Sequence, residues 1–190
     1  MNPDLYLHDG VIALRPYRPE DAEPMLAAVH ESSDQVSPWL PALSNDMPLV
    51  EVTSYIAIQK QLSRSGEAYN FVIQDHTTEQ ILGGVGLTEI NRHHRFANLY
   101  YWVRTRRTGE GIASRAVRLA ARFAFVEAGL ARVEIVVSVE NLPSQRVAEK
   151  AGAHREGVLR RRIALPGKLH DAVIYSLIPE DFGLRPAGGR

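Results

Sequence analysis

Cysteine is absent from this chain, which removes disulfides, thiolate metal sites and a thiol nucleophile together. Neither sign of charge is in excess: Lys+Arg and Asp+Glu each number 22, so no global field favours nucleic acid or a membrane surface. Long apolar runs are missing too. Arg, Glu or Gln interrupts each one well short of the roughly 18 residues that a spanning helix needs. Met1-Asn-Pro-Asp-Leu5 does not read as a signal-peptide start, and a cytoplasmic location is expected. The seven histidines show no H-E-x-x-H or comparable spacing, so no metal is indicated. What remains is 190 residues, 45% hydrophobic and 23% charged, the make-up of one globular domain spanning 1–190.

Local patterning gives the order of elements. Residues 11–15 read as a strand closed by Pro16, and 20–31 as a helix with Met25, Leu26 and Val29 at helical spacing. Residues 33–48 hold Pro38, Trp39, Pro41 and Pro48 and are expected to form an irregular loop, in which Trp39 either lines a pocket or plugs the core edge. A helix over 50–63 stops at Ser65-Gly66. Strands at 69–74, 81–91 and 97–103 follow with short connections, hence an antiparallel meander, and Gly83, Gly84 and Gly86 predict a bulge or a close neighbour in the middle strand. A helix at 111–128, a strand at 132–139, a short helix at 143–150 and strands near 155–163 and 170–178 complete a mixed α/β order. The run Arg160, Arg161, Arg162 reads first as a solvated basic face.

The stretch from Val103 to Ser114, V-R-T-R-R-T-G-E-G-I-A-S, is the most informative. A β-like run feeds a basic loop with two glycines, and an amphipathic helix begins directly after it. Glycines let a backbone approach a ligand closely, while the first turn of a helix offers unpaired N–H groups and a positive dipole end. A phosphate-bearing cofactor follows as the first hypothesis. Gly109-x-Gly111-x-x-Ser114 is not well placed for a dinucleotide fold: it lies past the midpoint, after an antiparallel meander, and Glu134, the acidic residue near the ribose-binding spacing, falls inside a strand. A Walker loop fails because no Gly-Lys-Ser/Thr follows.

Arg106-x-x-Gly109-x-Gly111 resembles the Q/R-x-x-G-x-G/A signature of the Gcn5-related N-acetyltransferases (GNAT). Asn141-x-x-Ser144-x-x-Val147-Ala148-x-x-x-Gly152 resembles a segment of their RimJ/RimL-like branch, which acetylates the N-termini of ribosomal proteins. Leu14-Arg15-Pro16, Pro19-Glu20-Asp21-Ala22, Gly157 and His170-Asp171 extend the likeness over nearly the whole chain. The resemblance implies an α/β GNAT-type fold with a mixed, mainly antiparallel sheet of about seven strands, splayed between the fourth and fifth, and flanking helices. It also implies acetyl-CoA (coenzyme A) as co-substrate. The backbone of Trp102 and Val103 would meet pantetheine, Asn141 its amide, and Arg106, Arg107, Thr108, Gly109, Glu110, Gly111, Ile112, Ala113 and Ser114 the phosphates. For Ser114 a solvent-facing helix position, and for Asn141 a turn, are the alternatives.

Without cysteine, direct attack of an amine on the thioester in a ternary complex is the simplest chemistry. An α-amino group of pKa near 8 is about a tenth neutral at pH 7, whereas a lysine near 10.4 needs roughly 4–5 kcal/mol to deprotonate. Many relatives carry a glutamate where this chain has Asn98, which cannot take a proton. Glu89, His93 and His94 are the substitute bases, each otherwise a solvated strand-end or turn residue. The tyrosine acid of many family members falls at Ala148. In the resemblance Ser144 takes the place near the sulfur, with a helix cap as its alternative. His170-Asp171 reads as a structural or acceptor-side pair. The expected acceptor is a protein N-terminus; a small amine acceptor, or a catalytically weak acyl-CoA-binding regulator, are the competing readings. Direct nucleic-acid binding is not expected, and a homodimer is left open.

Overall fold

The apolar runs pair into one open sheet. In the computed structural model, which describes residues 5–185, the strands are β1 (Leu7–His8), β2 (Ile12–Pro16), β3 (Tyr69–Asp75), β4 (Ile81–Asn91), β5 (Phe96–Val103), β6 (Arg132–Ser138), β7 (His154–Leu165) and β8 (Lys168–Leu177). They lie in the order β1-β2-β3-β4-β5-β6-β8-β7, antiparallel throughout except for β5 and β6. Helices α1 (Ala22–Val36) and α2 (Leu49–Ser65) follow β2, α3 (Ile112–Val126) follows β5, and α4 (Leu142–Lys150) follows β6. The sheet has eight strands rather than about seven. The extra one, β1, is a two-residue piece against β2, too short to leave a periodicity in the sequence. The N-terminal stretch 1–4 lies outside the described residues.

Two apolar layers fix the sheet. Along β5 the side chains alternate, so Ala97 and Leu99 join the core under α3 while Trp102 points into the one under α1 and α2. Helix α3 approaches closely because its inner stripe is small, with Ala116, Ala120, Ala121 and Ala124 fully buried and Phe123 filling the space against Phe71 and Tyr69. Burial of that phenyl ring is worth about 1.5–3 kcal/mol. On the other face Met25, Val29, Val52 and Ile56 pack around Trp102. Helix α1 runs to Val36, into residues that read as loop, because Ser32 and Ser33 are buried and packing outweighs their weak propensity.

The glycines of β4 meet close neighbours, as expected. A Cβ on Gly83 would overlap the Trp102 carbonyl, and one on Gly86 would overlap the Asn70 side chain. The register also shifts between Ile73 and Gln74, opposite Gly83 and Ile81.

The parallel pair determines where a ligand can enter. Strands β5 and β6 are joined only at Phe96–Arg132, Ala97–Val133 and Asn98–Glu134. Beyond these positions they diverge, leaving the β5 edge from Leu99 to Val103 without a strand partner on that side among the described residues.

Candidate active site

The divergence of β5 and β6 opens a cleft of about 820 Å³. One end is a short helical turn, Thr105–Arg107, leading into Gly109 at φ +86 and Gly111 at φ +78, after which α3 begins at Ile112. Glycine is favoured here because both residues are left-handed, and the space a Cβ would occupy at Gly109 is open, with no atom of the described residues within 4 Å. The first-turn amides of α3 have no intrahelical partners, so loop and helix together form a cradle of N–H donors. From Arg107 to Ser114 every residue except Glu110 lines the cleft, and Arg106 lies outside it, exposed. Arg107 holds the loop in place by pairing with Glu110 at 2.9 Å and Asp75 at 3.4 Å. The Ser114 hydroxyl donates to the Gly111 carbonyl at 2.9 Å, so it braces the turn.

The opposite wall is the start of α4. Asn141 is its N-cap, its side-chain oxygen accepting from the Ser144 N–H at 3.1 Å. The cap is therefore Asn141, which corrects the alternative that gave this task to Ser144. The Ser144 hydroxyl instead lies 2.8 Å from the phenol of Tyr101, which also reaches the Ser144 carbonyl at 3.0 Å. Burial pushes the Tyr101 phenol well above its ordinary pKa, so it keeps its proton.

At the apex of the wedge Asn98 lines the cleft, and its Oδ1 is buried with no hydrogen-bond partner among the described residues. An orphaned acceptor costs about 1–3 kcal/mol, a penalty that a bound donor would relieve. Glu89 also lines the cleft. It sits where β4 loses register with β5, between Thr88 and Asn91, at φ +51 and with its side chain 66% exposed. Arg162, from the β7–β8 hairpin, comes within 3.6 Å of it. Trp39 and Leu40 close the cleft from the α1 side, which settles Trp39 as a pocket residue.

Residues 12–154 match the family model described as "Acetyltransferase (GNAT) domain". This chain belongs to the GNAT acetyltransferase family. A Bacillus subtilis (strain 168) protein named "Probable N-acetyltransferase YjcK" is 32% identical over 181 residues, covering 92% of this chain and 98% of that protein. The structure of Mycobacterium smegmatis RimJ in complex with CoA-disulfide matches with a TM-score of 0.86 at 27% identity, covering 98% of this chain and 92% of that one. Over 91 residues, 48% of this chain and 49% of the other, the sequence is also 31% identical to spermidine N(1)-acetyltransferase of Escherichia coli (strain K12). GNAT enzymes use acetyl-CoA, and the open strand edge, left-handed glycines and first-turn amides of this cleft fit its pantetheine and diphosphate.

The GNAT cleft brings together most of the residues expected of it, including Trp102, Val103, Asn141, Ser144 and Glu89. It leaves out others. His93 and His94 sit in the β4–β5 turn, exposed, their rings packed on each other at 4.6 Å, and neither lines the cleft. His170 lies 3.4 Å from both Ser138 and Glu140, tying the hairpin to β6, and Asp171 accepts the Arg161 N–H within the hairpin, so both residues are structural here. Sequence did not point to Tyr101, and it read Arg162 as part of a solvated basic face, whereas Arg162 lines the cleft. The alternation along β5, which puts Tyr101 and Val103 on the same face, was the available signal for the tyrosine. No group of three or more His, Asp or Glu that could hold a metal occurs among the described residues. No described helix is long and apolar enough to cross a membrane.

Proposed function

We propose that this chain moves the acetyl group of acetyl-CoA to the N-terminal α-amino group of a protein, ribosomal proteins being the acceptor class favoured by the likeness to the structure of a "putative ribosomal-protein-serine acetyltransferase" from Vibrio cholerae. The observation that carries the reading is the wedge between β5 and β6, bounded by the glycine cradle on one side and the Ser144–Tyr101 pair on the other. Acetyl-CoA supplies a thioester carbonyl; in the transfer its carbon bonds to the amine nitrogen, the C–S bond breaks, and the proton lost by the amine balances the one gained by sulfur. Ser144 is the donor to the sulfur. When the Tyr101 phenol turns its one hydrogen from the Ser144 carbonyl to Ser144 Oγ, the serine hydrogen is free to point into the cleft. Asn98 Oδ1 accepts an N–H of the incoming amine and orients its lone pair. Glu89, the only carboxylate lining the cleft among the described residues, takes the amine's proton, directly or through water.

This arrangement suits an acceptor that is already partly neutral. A single exposed carboxylate beside an arginine is a modest base, adequate for an α-amino group and poor for a lysine. The cleft charges also argue against a polyamine, because Arg146, Lys150 and Arg162 line it against one Glu89, in addition to Arg107, which is paired with Glu110 and Asp75. Thiol release from acetyl-CoA, measured with N-terminal peptides, lysine side-chain peptides and spermidine, tests the reading. Turnover is expected with free α-amino peptides and not with their N-blocked lysine counterparts. Turnover on spermidine alone, or donor binding with no turnover on any acceptor, would overturn it.

A further inference from the structure

Two irregularities meet at the mouth of the cleft. On β4 the register breaks beside Glu89, at φ +51; on β7 it breaks between Leu159 and Ile163, where Arg161 also takes φ +51. The left-handed region disfavours residues with a Cβ, and such strain persists where the surroundings enforce it. In the second bulge Arg160, Arg161 and Arg162 together stand opposite Asp171 of β8, since Leu159 pairs with Ala172 and Ile163 with His170. The Asp171 carboxylate pins the bulge by accepting the Arg161 N–H at 2.8 Å. Extra residues on an edge strand beside a site re-aim side chains. Here Arg162 is turned onto the cleft, while Arg160 and Arg161 are exposed and pair with no carboxylate among the described residues. Three guanidinium groups thus stand against two nearby carboxylates, Glu89, 3.6 Å from Arg162, and Asp171, which is engaged by the Arg161 N–H, in a chain whose total charge balances.

This excess positive charge is separate from the anion cradle, which is formed by the loop before α3. We propose that the Arg160–Arg162 bulge is a carboxylate-binding subsite for acidic side chains that follow the acceptor amine in a peptide, a proposal that rests on the N-terminal reading above. A peptide whose amine lies near Asn98 and Glu89 advances about 3.3–3.6 Å per residue, which brings roughly its second to fourth residues to the bulge. Guanidinium and carboxylate match in geometry as well as sign.

The test uses the full chain, acetyl-CoA and matched peptides with the same first residue, carrying Asp/Glu, Asn/Gln or Lys at the next three positions. For two exposed guanidinium contacts the acidic peptide is expected to exceed the neutral one in kcat/KM by about tenfold, mainly through KM, with the advantage shrinking as salt rises. A double variant, Arg160→Ser with Arg161→Asn, removes both charges while asparagine tolerates the left-handed backbone. It is expected to lose the preference and keep the wild-type rate on the neutral peptide, which also reports that it is folded. Equal rates on acidic and neutral peptides in the wild type, or a preference that survives in the variant, would overturn the subsite and leave the N-terminal reading standing. No turnover on any peptide would overturn both. Binding of a single-stranded RNA oligomer that the double variant abolishes, without any peptide preference, would reassign the bulge to nucleic acid and end the proposal.

Discussion

Ser144 is the residue on which the chemistry turns, because α4 is capped by its neighbour Asn141 and the serine hydroxyl is left to Tyr101. Ser144→Ala is expected to lower kcat by on the order of 10²-fold, the lower end for loss of a general acid, with acetyl-CoA affinity nearly unchanged. Stopped turnover paired with equilibrium binding would show this, and a wild-type rate would remove Ser144 from the reaction. Gly109→Val acts on the other substrate site. At φ +86 a β-branched residue adds strain of about 1–2 kcal/mol in an exposed loop, which the domain can absorb, while its side chain enters the open space the phosphates need. Loss of acetyl-CoA binding with a retained cooperative melt is the expected pair of results. Much of this was legible in the sequence, since the glycines and the Asn-x-x-Ser spacing are local. The Tyr101–Ser144 hydrogen bond was not, because its partners are 43 residues apart and only the splay of the strands brings them together.

At the level of elements, the longer strands and helices followed from their periods, and the bulges at Glu89 and Arg161 did not. A bulge is a property of two strands in register, so neither Glu89 on β4 nor Arg161 on β7 signals its backbone in a single run of sequence. The same holds for the end of α1, set by what Ser32 and Ser33 pack against. The outer strands are fastened by Arg132 of β6, which reaches Glu156 on β7 and Glu134 on its own strand. The Arg132 guanidinium holds the Glu156 carboxyl down to about 2, from an ordinary 4.5. A depressed carboxyl contributes stability that is present above its unfolded pKa and is lost as pH falls through the folded one. Glu156→Gln should therefore lower Tm at neutral pH, by an amount worth about 1 kcal/mol or less for this partly exposed pair, with the difference closing between pH 4.5 and about 2. Thermal melts of both proteins across that window check it. Gly83→Ala is the costlier change: the new methyl would displace the Trp102 carbonyl, so a loss of about 1–3 kcal/mol is expected together with weaker acetyl-CoA binding through the shifted β5 edge.

Across the whole molecule the sheet is two parts joined by the three residue pairs between β5 and β6. A pantetheine chain lying along the free edge of β5 would bridge the two parts, so acetyl-CoA should stiffen the protein as well as react in it. Hydrogen exchange at the amides from Leu99 to Val103 is expected to slow on binding, and at a hundredfold excess over Kd the fold should gain about 2.7 kcal/mol. Unchanged exchange on that edge would show that the donor does not lie there. A groove that grips its ligand through backbone and phosphates holds the spent carrier almost as firmly as the loaded one, because the two differ only by an acetyl group beyond those contacts. Occupancy then follows the proportion of loaded to empty carrier rather than the amount of either. The gap between β5 and β6 would thus make the rate of acetylation a gauge of that proportion, independent of which amine receives the group.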